Sequence, residues 1–200
     1  AEDAATALAR FANITGMSAD NYGRLGSVIV DLGNNFATTE SEITQMGTRL
    51  ASGGKLAGLT EPQIMALAAA MSSVGIEAEA GGTAMTQTLN AIEKAVATGG
   101  DSLTGFARIA GVSAAEFAQT WNTDAMSALT AFVRGLGDLD AQGESATLVL
   151  DELGLTGIRQ SNMLKSLALA ADEMDAAVST ANTAWEENVA LSNEANTRYA

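Results

Sequence analysis

GLTEPQIMALAAAMSSVGIEAEAGGTAMTQTLNAIEKAVATGGDSLTGFARIAGV, residues 58–112, carries two apolar stripes at helical spacing. In the first, Ile64, Leu67, Met71 and Val74 recur at intervals of three, four and three. In the second, Met85, Leu89, Ile92 and Val96 recur at four, three and four. Each set lines one face of a helix. Between them lie Ala68, Ala69, Ala70, Ala78, Ala80, Gly81 and Gly82, small residues that let helix axes approach. Each glycine costs a helix about 1 kcal/mol against alanine. Gly81 and Gly82 therefore predict a tight contact or a bend. The stretch reads as a packing module, almost free of chemistry.

Outward from this centre the pattern stays helical. Leu8, Phe11 and Ile14 share a face, and Tyr22, Leu25, Ile29, Leu32 and Phe36 form a five-member stripe that Gly33-Asn34-Asn35 would end. Thr39 or Ser41 starts a helix with Ile43, Met46 and Leu50 inward, which Ser52-Gly53-Gly54 is expected to break. Gly99-Gly100-Asp101-Ser102 reads as a turn. Beyond it come short helices marked by Leu103, Phe106 and Ile109, by Phe117 and Trp121, and by Met126, Leu129, Val133 and Leu136. A loop is expected from Gly135 to Gly143, then short helices over Leu148 to Leu153 and Ile158 to Leu169. Leu167, Ala171, Met174, Val178, Ala181 and Trp185 recur at near-heptad spacing without Gly or Pro, which predicts one long helix over 167–200 running on into a parent chain. One proline in the chain and no alternating segment point to an all-α fold, a multi-helix bundle with a longer C-terminal helix. The expected divisions are 1–57, 58–112, 113–166 and 167–200.

A local device recurs at Gly16-Met17-Ser18, Gly58-Leu59-Thr60 and Gly111-Val112-Ser113. With the hydroxyl residue as N-cap, the preceding apolar residue can pack on the fourth helical residue. The pairs would be Met17 with Tyr22, Leu59 with Ile64, and Val112 with Phe117. Gln63 and Glu116 stand at capping-box positions for Thr60 and Ser113. Gly154-Leu155-Thr156 matches only in part.

Composition narrows function. The net charge of −14 argues against a DNA or anionic-lipid surface. With neither cysteine nor histidine, thiolate and imidazole chemistry and the usual zinc sites are excluded. The acidic start, without Met or a basic segment, reads as a piece of a longer protein, and the longest uncharged run, Pro62 to Ile76, is too short to span a bilayer. Asp138-Leu-Asp140-Ala-Gln142-Gly143 is similar to half a calcium loop, but its twelfth position, which needs a bidentate Glu, is Val149. Glu77 and Glu79, two apart on a helix, point away from each other. Ser161 and Lys165 are spaced as a dyad without the burial a reactive lysine needs. Trp121 and Trp185 sit on apolar stripes as core residues. No catalytic, cofactor-binding or metal-binding residue is expected, and the chain reads as no enzyme.

The succession of YGRLGSVIVDLGN at 22–34, GLTEPQIMALA from Gly58, SVGIEAEAGGT at 73–83 and FARIAGVSAAEF at 106–117 resembles the helical core of phage tail tape-measure proteins. NVAL at 188–191 and EANTRY at 194–199 extend the resemblance to essentially the whole chain. It implies a structural virion protein lying in the tail lumen and assembled in the host cytoplasm. Tail-tube and tail-assembly proteins would be its partners, its length would set tail length, and several copies would bundle as a homo-oligomer. It implies no catalytic residues and no direct nucleic-acid binding. Two other readings stand beside it. One is a generic helical interaction module of a secreted or surface protein, and the other an enzyme fragment, from a tape measure bearing a cell-wall hydrolase.

Overall fold

The computed structural model describes residues 2–199. The chain is 83% helical, and no strand occurs among the described residues. The helices are α1 (Glu2–Thr15), α2 (Tyr22–Asn35), α3 (Glu40–Leu56), α4 (Glu61–Ser73), α5 (Ala78–Thr98), α6 (Gly100–Ala110), α7 (Ala114–Thr123), α8 (Ala125–Asp138), α9 (Ala146–Glu152), α10 (Ile158–Ala168), α11 (Ala171–Glu187) and α12 (Ala190–Tyr199). The all-α bundle expected from the spacing is what forms.

At the centre is α4. Every residue from Ile64 to Met71 is fully buried, so this helix is apolar all round rather than along one stripe. Such a helix needs cover on every side. α3, α11 and α2 supply it. One continuous apolar cluster runs from Phe11 to Ala184, joining this group to α5 and to the α6–α8 and α10 helices. Within the latter, Phe106 meets Phe132 edge-on at 5.1 Å and stacks with Phe117 at 6.3 Å.

The helix starts follow the capping argument at two of three places. Thr60 N–H donates to Gln63 Oε1 at 2.9 Å while Gln63 N–H donates to Thr60 Oγ1 at 3.3 Å. Leu59 and Ile64 are both buried, and both lie against Gly54. Ser113 and Glu116 exchange the same pair of bonds, and the Ser113 contacts hold the Glu116 carboxyl below its ordinary value. Val112 nevertheless stays 41% exposed, unlike Leu59 at the corresponding position before α4. Met17 and Tyr22 do not act as expected either. Ser18 caps a short 3-10 turn, Ala19–Asn21, that precedes α2, and Tyr22 is 44% exposed. At α3 the cap is Thr39, completed by Glu42.

The expected turn at Gly99-Gly100-Asp101-Ser102 shrinks to Gly99, because α6 begins at Gly100. Three further expectations are corrected. Ser52-Gly53-Gly54 does not break α3, which runs to Leu56. Gly53 and Gly54 are buried where α5 and α4 press closest: an added Cβ would lie 2.8 Å from Thr86 and 2.8 Å from Ile64. The same close approach explains Gly82, whose Cβ would come within 2.6 Å of Arg49 Cβ, and Gly81, where it would strike Ile76.

The expected loop from Gly135 is helical as far as Asp138. Gly135 lies in α8 against the Ile109 carbonyl of α6, where a methyl group would overlap the oxygen. Gly135→Ala should therefore lower stability by about 2 kcal/mol, despite a propensity gain of about 1 kcal/mol, because backbone cannot rotate aside as a side chain can. The thermal midpoint should fall by roughly 5 °C. An unchanged or raised midpoint would show that α6 and α8 do not approach this closely.

The third correction concerns the C-terminal segment, which is not one helix. It breaks at Leu169-Ala170 and again at Asn188-Val189, giving α10, α11 and α12. Its stripe is met in part: Ala171, Met174 and Ala181 are buried as expected, joined by Ala177 and Ala184, whereas Val178 and Trp185 are only half-buried. Alanines let α11 approach the alanine-rich α4 more closely than larger side chains would. α11 thereby folds back onto the N-terminal half instead of leading away from it.

Candidate functional site

Among the described residues the surface offers several shallow grooves, two of them of larger volume, and a docked C-terminal helix. The larger groove, about 810 Å³, lies between the N-terminal ends of α5 and α10 and is lined by Glu77, Glu79, Thr83, Gln87, Arg159 and Gln160, among others. Its floor is a polar link through the core. Gln160 Nε2 donates to Thr88 Oγ1 at 3.1 Å, and the Thr88 hydroxyl donates to the Ala84 carbonyl at 2.9 Å. Gln160 and Thr88 are both buried, so this pair fixes the register of α10 on α5. Neither hydroxyl nor amide is placed beside a base. Glu77 and Glu79, expected to point apart on one helix, both line this groove, because Glu77 is the extended residue that precedes α5.

The second groove, about 520 Å³, runs between α8 and α11 past Asp124, Ser127, Arg134 and Asp175. Arg134 donates to Asp172 at 2.7 Å and to Asp175 at 2.5 Å. Its guanidinium pKa is raised by these bonds, Asp172 first. The cation is thereby committed to holding α11 on α8.

The residues weighed from sequence fall into structural places. Asp138 ends α8, Asp140–Gln142 is a 3-10 turn and Gly143 takes the left-handed conformation that closes it. Val149, at the position a calcium ligand would need, is buried in the core. No cluster of acidic, histidine or cysteine side chains suited to a metal ion occurs among the described residues. Lys165 donates to Thr147 Oγ1 at 3.2 Å. Trp121 is buried, with its indole N–H donating to Glu93 at 2.6 Å. Trp185 presents its backbone carbonyl, which accepts from Arg24 at 2.5 Å, while Glu186 O accepts from the same guanidinium at 3.2 Å.

Arg24 was not singled out by spacing. A lone arginine on an apolar helix carries no sequence signal for the remote helix end it covers. The bonds matter because the last carbonyls of a helix lack partners within it, and a cation suits that end.

Four basic residues, Lys55, Arg108, Arg134 and Arg198, are each paired with a carboxylate. No helix is long and apolar enough to cross a membrane among the described residues. The arrangement can present packed helical faces and acidic grooves to other proteins.

Comparison with curated proteins and with solved structures gives no match. Comparison with protein-family models gives one that covers residues 1–149, described as phage-related minor tail protein. That match takes in α1 to α8 and the start of α9. The chain belongs to the phage-related minor tail protein family, a family of virion tail proteins.

Proposed function

We propose that the chain is a folded segment of a tape-measure protein, the component that occupies the tail lumen while tube subunits assemble around it and whose length sets that of the tail. The family match carries this reading, taken with the ordered motifs at 22–34, 73–83 and 106–117 that resemble tape-measure proteins. The acidic balance supports it. A luminal plug must give way to DNA, and a net charge of −14 repels phosphate. The role is structural, its partners are tail-tube and tail-assembly proteins, and several copies share the lumen.

The test is to quantify the protein by mass spectrometry in intact particles and in particles that have released their DNA. A luminal protein that leaves ahead of the genome is present in the first and largely lost from the second. Equal amounts in both would overturn the luminal reading and leave a fixed tail component.

A further inference from the structure

Eight glycines hold positive φ in this chain, and among the described residues Asn188 is the single other residue that does so, at φ 52°. It is the C-cap of α11 and makes the bend into α12. Glycine takes the left-handed conformation at little cost, whereas any L-residue there is held against a preference for the right-handed one. Asn188-Val189 contains no proline or glycine, so the same two residues can also continue the helix. Straightened, residues 171–199 would form one helix about 44 Å long.

α12 is held lightly: it contains no buried residue. It lies along α2, where Gly26 leaves room for Leu191, a Cβ there coming 3.1 Å from the leucine side chain. The fully buried Ser27 is the polar anchor, donating to Asn188 Oδ1 at 3.3 Å and accepting from Leu191 N–H at 3.4 Å. At the far end Asn34 donates to Glu194 at 3.5 Å, and Arg198 pairs with Glu40 at 3.8 Å. The face formed by α2 and the start of α3 is thus shaped and charged for α12, and its bonds to Leu191, Glu194 and Arg198 can be made equally by the α12 of another copy.

We propose that Asn188 is a hinge through which α12 straightens out of its own chain and docks on α2 of a second copy, giving a two-fold exchanged dimer. In such an exchange each copy gives and receives the same helix, so the docking contacts are kept while the left-handed residue relaxes. Straightening would give the Trp185 and Glu186 carbonyls helical partners in the N–H groups of residues 189 and 190, so the Arg24 bonds favour the bent form. This inference is independent of the tape-measure reading.

The chain has no cysteine, so introduced thiols report cleanly. Gly26→Cys in one copy and Leu191→Cys in a differently tagged copy can form a mixed disulfide only when α12 of the second lies on α2 of the first. The two are mixed under oxidising conditions in an Asn188→Ala background and, separately, in an Asn188→Gly background. Alanine penalises the bend and favours the straight helix, whereas glycine relieves the bend. The bent-to-straight balance should differ by about tenfold or more between them. The expected result is abundant mixed disulfide dimer with Asn188→Ala and about tenfold less with Asn188→Gly. Equal yields in the two backgrounds, or no mixed dimer with a folded Asn188→Ala protein, would overturn the hinge. Circular dichroism of each variant establishes that it is folded.

Discussion

Ending the chain after Ala171 is expected to unfold it, whereas ending it after Glu187 is expected to leave a folded protein. The first truncation removes Met174, Ala177, Ala181 and Ala184, all buried, and uncovers the face of α4 that α11 covers. Burying a methionine contributes about 2–3 kcal/mol, and the alanines, part of Trp185 and the uncovered α4 side chains bring the loss to the order of 10 kcal/mol. That is comparable to the whole stability of a domain. It also removes the Glu173 carboxylate that accepts from Ser73 at the end of α4, and both carboxylates that hold Arg134. The second truncation removes residues 188–200, and α12 contains no buried residue. Far-UV circular dichroism and urea unfolding distinguish the two. A cooperative transition in the shorter protein would show that α4 does not depend on α11.

Leu67→Asp should also cost several kcal/mol of stability at neutral pH. Leu67 is fully buried midway along α4, on a helix whose every face is covered. An uncompensated carboxylate there costs several kcal/mol, beyond the roughly 2–5 kcal/mol of the cavity that Leu67→Ala would leave. The sign of its pH dependence follows from burial. Desolvation raises the folded-state pKa of the introduced carboxyl above its unfolded value. Its penalty is therefore smallest when the group is protonated and grows as pH rises past the unfolded pKa. Leu67→Asp should accordingly lose more stability relative to the parent at pH 7 than at pH 4. The measurement is urea unfolding of both proteins at the two pH values, and an equal loss at both would place residue 67 in contact with water.

Much of this fold was legible in one dimension. Periodic stripes identified Leu25, Ile29 and Leu32 on α2 and Ile43, Met46 and Leu50 on α3 as core, and all are buried. Local capping chemistry identified the starts of α4 and α7, because hydroxyl and carboxylate or amide three residues apart satisfy each other without help from the rest of the chain. What failed depended on partners remote in sequence. Gly53-Gly54 and Gly135 read as stops because glycine is a poor helix former, yet Thr86, Ile64 and the Ile109 carbonyl occupy the space their missing side chains leave.

On α11 the spacing placed Ala171, Met174 and Ala181 correctly but favoured Val178 and Trp185 over Ala177 and Ala184 for a related reason. Valine and tryptophan outrank alanine in hydrophobicity, but a helix packing tightly on α4 buries its alanines most deeply. The left-handed Asn188 carried a signal that could have been used, since Asn is the residue other than glycine that most readily ends a helix this way. The grooves could not be read at all, because each is built from side chains on helices far apart in the chain.

Family membership and fold together describe a tail protein whose described residues build helices around a buried alanine-rich core. The proposed tape-measure role makes this chain part of the ruler of the tail. It is tested most directly by duplicating the 200-residue segment in frame in the phage gene that encodes it and measuring tail length by electron microscopy. The account predicts a shift of the whole length distribution by one increment, shorter than the roughly 300 Å that 200 residues of continuous helix would span, because the segment is folded on itself. Tails of unchanged length in particles that carry the duplicated protein would contradict it.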